Sequence, residues 1–336
     1  MTMNFIAARR DGRRVAAARA ASLVPAAPLA RILSARASRI LLIMSLMCAG
    51  LIAPAHAALR VLACEPEWAA LATELGGDKV QATSATTAQQ DPHHIEARPS
   101  LIARARNADF LACTGMELES GWLPVLLQQS GNPKIQPGRP GYFEAGRHVP
   151  PLDVPARLDR AQGDVHAAGN PHIQTDPRNI ARVAAALAAA LAAADPAEAN
   201  TYQTRLKDFS ARWEAARQRW EQAAASLRGV SVIEHHRNLD YLLAWLGMPV
   251  VGTLEPKPGL EPSAAHLAQL LQEQARRPAQ LILRAAYQDA RAADWLADKA
   301  RIPAVLLPFT VGGTPEARDL FGVFDDTIKR LTGARK

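Results

Sequence analysis

The chain has 336 residues, 49% of them hydrophobic, and a formal charge of +7 from 39 Lys+Arg against 32 Asp+Glu. That excess is local, because eight arginines and one acid precede residue 58 and the remainder holds 31 bases and 31 acids. Nucleic acid and anionic membrane surfaces both require a concentrated basic face, so neither is an expected partner.

Residues 1–57 read as a cleavable signal peptide. Arg31, Arg36 and Arg39 precede an apolar run from Ile40 to Ala53, and the small-residue site Ala55-His56-Ala57 follows. This is the order of charged, apolar and cleavage regions in a secretory signal. The run is too short for an ordinary membrane-spanning helix. Met47 makes Ser45-Leu46-Met47-Cys48 a poor lipoprotein box. Cleavage before Ala58 and a periplasmic location are expected.

The remaining stretch of about 280 residues suits two domains better than one. Strands are predicted at 59–64, from Lys79 towards Thr86, and ending at Cys113. Between them, Trp68, Leu71, Ala72 and Leu75 mark one helix, and another starts near Pro99-Ser100. This alternation implies an α/β fold with a doubly wound parallel sheet, whose ligands bind beyond the carboxyl ends of the strands. Cys64 and Cys113 each end a strand. If those strands are neighbours, export favours a disulfide; otherwise the two remain buried thiols.

Residues 131–175 are rich in Gly, Pro, Asn and His and are expected to be irregular, with room for one strand. Asp176-Pro177 then caps an alanine- and leucine-rich helix. Asp195-Pro196 starts a second helix, predicted to run unbroken to about Leu227 and to span roughly 48 Å. After Gly229 the alternation resumes, with strands at 230–234, 249–253, 279–284 and 303–308 and a helix after each. The expected domains are therefore an N-terminal lobe at 58–195, a linking helix at 196–228 and a C-terminal lobe at 229–336.

Three histidines stand where a strand gives way to a loop: His93 in Asp91-Pro92-His93-His94, His172 in Asn170-Pro171-His172, and His236 in Glu234-His235-His236. Their spacing excludes a zinc-finger cage, whose ligands come in short local pairs. Distant loops instead meet in a cleft between lobes. Three imidazoles favour zinc over manganese, calcium or magnesium.

These segments resemble the zinc/manganese solute-binding proteins of ABC importers, the ZnuA/TroA-like cluster. Gln90 through Ser100 is similar to the family's Asp-Pro-His-x-x-Glu-x-x-Pro-Ser segment, and Asn170 through Pro177 to its second ligand segment. His236 through Tyr241 resembles the third, and Leu254-Glu255-Pro256-Lys257-Pro258-Gly259 also fits. The resemblance covers 59–332. It implies two lobes joined by one long rigid helix, metal in the interlobe cleft, and a monomer that delivers Zn2+, or less readily Mn2+, to a membrane permease. The membrane is then met only through that permease.

Two departures stand out. Many members take a fourth ligand from a carboxylate on a late strand end, yet Leu307 through Gly313 holds none. Glu255, Asp325 or water is the expected substitute, with His166 as an auxiliary ligand. A long His-rich loop is also expected to be reduced or absent, since only His148 and His166 lie between the first and second ligand segments. Glu96, His94 and His235 are expected behind or beside the ligands. A secreted zinc hydrolase is the competing class, because three histidines and a water also make a catalytic site. No His-Glu-x-x-His helix or placed general base supports it, so no catalytic residue is assigned. A metal chaperone or adhesin on the same scaffold is the other alternative.

Overall fold

The computed structural model describes residues 57–157, 161, 163 and 165–334. The signal peptide expected at 1–57 lies outside them except for Ala57. None of the described helices is long and apolar enough to cross a membrane.

Strand β1 (Leu59–Ala63) leads into helix α1 (Pro66–Gly76), which starts on a proline and ends where Gly77 turns to φ 56°. Trp68, Leu71, Ala72 and Leu75 on one face of α1 are buried, as their helical spacing predicts. Then come β2 (Val80–Ser84), α2 (Pro99–Asn107) and β3 (Phe110–Cys113). A short helix α3 (Leu123–Ser130) and strand β4 (Tyr142–Glu144) follow. All pairings in this sheet are parallel, in the order β2-β1-β3-β4. Because β1 and β3 are neighbours, Cys64 and Cys113 meet at their carboxyl ends as a disulfide, with Cα atoms 4.7 Å apart.

Helix α4 (Pro177–Ala194) begins where the Asp176 carboxylate accepts from Arg178 N. Ile180, Val183, Ala184, Leu187, Ala188 and Leu191 form its buried stripe. Helix α5 (Ala199–Ala223) has 25 residues. It is shorter than the unbroken helix expected from Pro196 to Leu227, because 3-10 turns at Pro196–Glu198 and Ala225–Leu227 flank it. At ~1.5 Å per residue its length is about 37 Å.

The second sheet has β5 (Val232–Glu234), β6 (Val250–Thr253), β7 (Leu281–Ala285) and β8 (Ala304–Leu307), all parallel in the order β6-β5-β7-β8. Helices α6 (Asp240–Leu246), α7 (Ala264–Glu273), α8 (Ala290–Ala300) and α9 (Leu320–Gly333) alternate with them. The strand order repeats that of the first sheet, a symmetry the sequence does not display as a repeat. In each lobe the order reverses at the first strand, so each has a crevice at its carboxyl edge.

One apolar cluster joins the two halves. It runs from Val61 and Trp68 through Leu187, Trp213 and Trp220 to Leu283, Phe324 and Leu331. Trp213 sits at its centre, with Phe321 and Phe324 edge-on at 4.9 and 5.5 Å and its indole N–H donating to Pro177 O at 2.8 Å. Helix α5 therefore packs against both lobes along its length, through α4 on one side and α9 on the other.

Candidate metal centre

The three loops named by the sequence converge. His93 lies beyond β2, His172 leads into a 3-10 turn at Ile173–Thr175, and His236 follows β5. One ring nitrogen from each lies within 4.8 Å of the others. The ring centroids are 5.2 Å apart for His93–His172, 5.5 Å for His172–His236 and 5.7 Å for His93–His236.

The rings of His93 and His236 are fixed from behind, and His172 is held through its backbone. Asp91 Oδ1 accepts from His93 N at 3.0 Å and lies 2.7 Å from His93 Nδ1. The Trp122 indole N–H donates to Pro92 O at 2.9 Å and pins that loop. Glu255 Oε2 lies 2.7 Å from His236 Nδ1 and also accepts from Gly259 N at 2.9 Å. Asn170 Oδ1 accepts from His172 N at 3.0 Å, and Thr175 Oγ1 donates to His172 O at 3.0 Å. A carboxylate on Nδ1 selects the tautomer whose Nε2 lone pair is free for a cation. His93 Nε2 and both nitrogens of His172 are buried without a hydrogen-bond partner. Buried polar atoms are normally satisfied, so these nitrogens are suited to donate to a cation or to meet a water.

Burial drives the His172 pKa well below the usual imidazole value, and the neighbouring His93, His236 and His166 lower it further. The ring is thus held neutral, the form that binds metal. Phe309 stands edge-on to it at 5.7 Å and touches Tyr287 at 5.5 Å. Phe309 adopts φ 66°, an unusual conformation for a bulky residue, in a loop so tight that a Cβ at Gly313 would sit 1.8 Å from Pro308 O. The next residue, Thr310, donates from Oγ1 to Glu67 Oε2 at 2.5 Å and so links the C-terminal lobe to α1.

The other sequence candidates fall into three groups. His166 stacks on His93 with centroids 5.3 Å apart and lines one cavity with His172 and His236. Glu255 is close, and its Oε2 is engaged by His236 Nδ1 and Gly259 N. Asp325 lies on α9, where it accepts the Trp220 indole N–H at 2.6 Å, away from the centre. Glu96 is exposed and holds none of the imidazoles; Asp91 does what was expected of it. His94 is exposed, with its ring 6.1 Å from that of His93. His235 turns away from its neighbour His236 and lines a separate cleft with Glu261, Asp289 and Trp295.

Sequence reasoning overlooked a buried acidic group beside the centre. Glu65, Glu67 and Glu119 are almost fully buried. Desolvation raises Glu67 and Glu119 to about 7, and it raises Glu65 well above the ordinary range, helped by the charges of Glu119 and Glu67. The signal was two glutamates straddling a proline directly after a strand, at Glu65-Pro66-Glu67.

A family model described as zinc-uptake complex component A, periplasmic (ZnuA), matches residues 61–334. The manganese ABC transporter substrate-binding lipoprotein PsaA of Streptococcus anginosus is 25% identical over 155 residues, 45% of this chain and 47% of that protein. The zinc-binding lipoprotein AdcA of Streptococcus pneumoniae is 22% identical over 208 residues, 59% of this chain and 39% of that protein. The chain spans about half the length, or less, of these curated relatives. A crystal structure of ZnuA matches with a TM-score of 0.69 at 21% identity, over 83% of this chain and 100% of that one. That likeness places the two chains in one fold.

Proposed function

The chain belongs to the ZnuA family of periplasmic zinc-uptake components, and from that premise we propose that it captures a divalent metal ion between its lobes and hands it to the membrane permease of an ABC importer. The observation that carries this reading is the meeting of His93, His172 and His236, whose ligand nitrogens lie within 4.8 Å of one another in a buried setting. His93 and His172 come from the first half of the chain and His236 from the second, so a bound ion ties the lobes together.

Zinc is the cargo that this donor set suits best. PsaA is named for manganese and AdcA for zinc. Harder ions such as Mn2+ favour oxygen donors, and the nearby Asp91 and Glu255 carboxylates are engaged with imidazole Nδ1 atoms. We assign His166 as the fourth ligand, since it stacks on His93 and faces the cavity of His172 and His236. Four imidazoles satisfy the tetrahedral preference of Zn2+ at about 2.0–2.1 Å. Export to the periplasm, where a permease would meet it, rests on the signal read in residues 1–57.

Competition titration of the chelator-stripped protein tests the assignment. Zinc is expected to bind one to one and far more tightly than manganese, and His172→Ala to weaken zinc by orders of magnitude. Equal affinity for the two metals would reject the zinc reading. Unchanged zinc binding in His172→Ala would reject the site.

A further inference from the structure

The described parts of the segment after β4, residues 150–157 and 165–171, form a loop that reaches the second lobe and is fastened there. Tyr241 Oη accepts from Leu152 N and donates to Asn170 O, both at 2.9 Å. Asn170 Nδ2 donates to Arg237 O at 2.7 Å and to Asp240 Oδ2 at 3.0 Å. Between this loop and the C-terminal lobe lies a cavity of about 110 Å3. Its floor is His166, His172 and His236, and its wall includes Asp153, Arg237 and Asp240. Burial grades outward along it, from His172 at 1% exposed to the side chains of Asp153 and Arg237 at 42% and 48%.

At the outer end stands a guanidinium that bridges the two sides. Arg237 Nη2 lies 3.2 Å from Asp153 Oδ2 on the loop, and Arg237 Nε lies 3.1 Å from Asp240 Oδ2 on α6. Two carboxylates and one guanidinium leave this mouth with one net negative charge. A dication arriving from solvent competes with Arg237 for both carboxylates and carries twice its charge. The Arg237–Asp153 pair is half-exposed and contributes roughly 0–1 kcal/mol, so that side opens readily, whereas the Asp240 side chain is buried and anchors the other. Behind it stands His172, buried and with neither ring nitrogen hydrogen-bonded.

We propose that this cavity is the passage by which a divalent metal ion reaches and leaves the histidine centre, with Asp153 and Asp240 as an outer cation-binding stop and Arg237 as the gate that swings aside. The proposal rests on the histidine centre being the metal site. The ion first replaces the guanidinium between the two carboxylates and then exchanges them for imidazoles. Arg237 closes behind it. Release reverses these steps, so the gate limits both rates.

Stopped-flow measurement of zinc association with stripped protein, and of zinc loss to excess chelator, tests the gate in wild type, Arg237→Gln and Asp153→Asn. In Arg237→Gln both rate constants are expected to rise, by up to about fivefold for loss of a bridge of that strength. Asp153→Asn frees the guanidinium on one side, and its dissociation rate is expected to rise as well. A role through charge alone makes the opposite prediction for loss of zinc: removing a positive charge would speed association and slow dissociation. Slower or unchanged dissociation in Arg237→Gln therefore overturns the gate and leaves the histidine centre standing. A wild type that binds no zinc overturns both.

Discussion

Asp91 and Glu255 do for His93 and His236 what no residue among those described does for His172: each sets a carboxylate 2.7 Å from Nδ1. Such partners orient a ligand and raise its basicity, and their loss commonly costs 10–100-fold in metal affinity. Asp91→Asn and Glu255→Gln are each expected to weaken zinc binding by about that factor in a competition titration, with the circular dichroism of the folded protein retained. His172 is held by burial and responds to pH instead. Its folded pKa is depressed, so on acidification the unfolded chain takes up the proton first, below about 6.5. Metal-free wild type should then lose more stability than His172→Leu between about pH 7 and 5, read as the shift in unfolding midpoint. The three metal-site candidates were legible because each sits in a short distinctive string at a strand end. Their supports were less so. Asp91 was readable as an acceptor for the backbone two residues on, but Glu255 reaches His236 through space from 19 positions away. Asp325 was misplaced because sequence cannot show that its carboxylate faces the Trp220 indole.

Among the elements, strands and helices were recovered where periodicity is strong, and their ends drifted where caps are weak. Helix α5 has no side-chain hydrogen bond at its N-cap, and 3-10 turns replace its expected first and last residues. Helix α3 went unassigned, and strand β4 was expected only as one strand somewhere within 131–175, because eight and three residues are too few to display a period. Sheet order was beyond reach of the sequence except through the two cysteines, whose pairing required β1 beside β3. That bridge closes a segment with a sequence separation of 49 residues. Chain entropy gives it about 4 kcal/mol of stabilisation. The Cys64→Ser, Cys113→Ser double variant should lose stability of that order in chemical denaturation while still binding one zinc, because the contact of Cys64 with the His93 loop is through its backbone carbonyl, which serine keeps.

The described residues form two copies of one strand order held by a shared core, by the hydrogen bonds of Leu152 and Asn170 to the second lobe, and by the Thr310–Glu67 hydrogen bond. That last link carries a titration. Desolvation raises the folded pKa of Glu67 to about 7, above its unfolded value of about 4.3. Its contribution to stability is thus fully present below about pH 4 and is lost as pH rises through 7. Glu67→Gln keeps an acceptor for Thr310 Oγ1 but has no charge to desolvate. The metal-free variant is expected to lose less stability than wild type between about pH 5 and 8 in denaturant midpoints. Identical slopes would place the titration elsewhere.

X-ray absorption at the zinc edge, on protein loaded with one equivalent, tests the central claim most directly. Imidazole-ligated zinc gives a first shell at about 2.0–2.1 Å and outer-shell scattering that counts the rings. The expected spectrum has nitrogen in the first shell and at least three imidazoles, with His172→Ala removing one. A shell dominated by carboxylate oxygen, or the same ring count in that variant, would contradict capture of the ion by histidines from both halves of the chain.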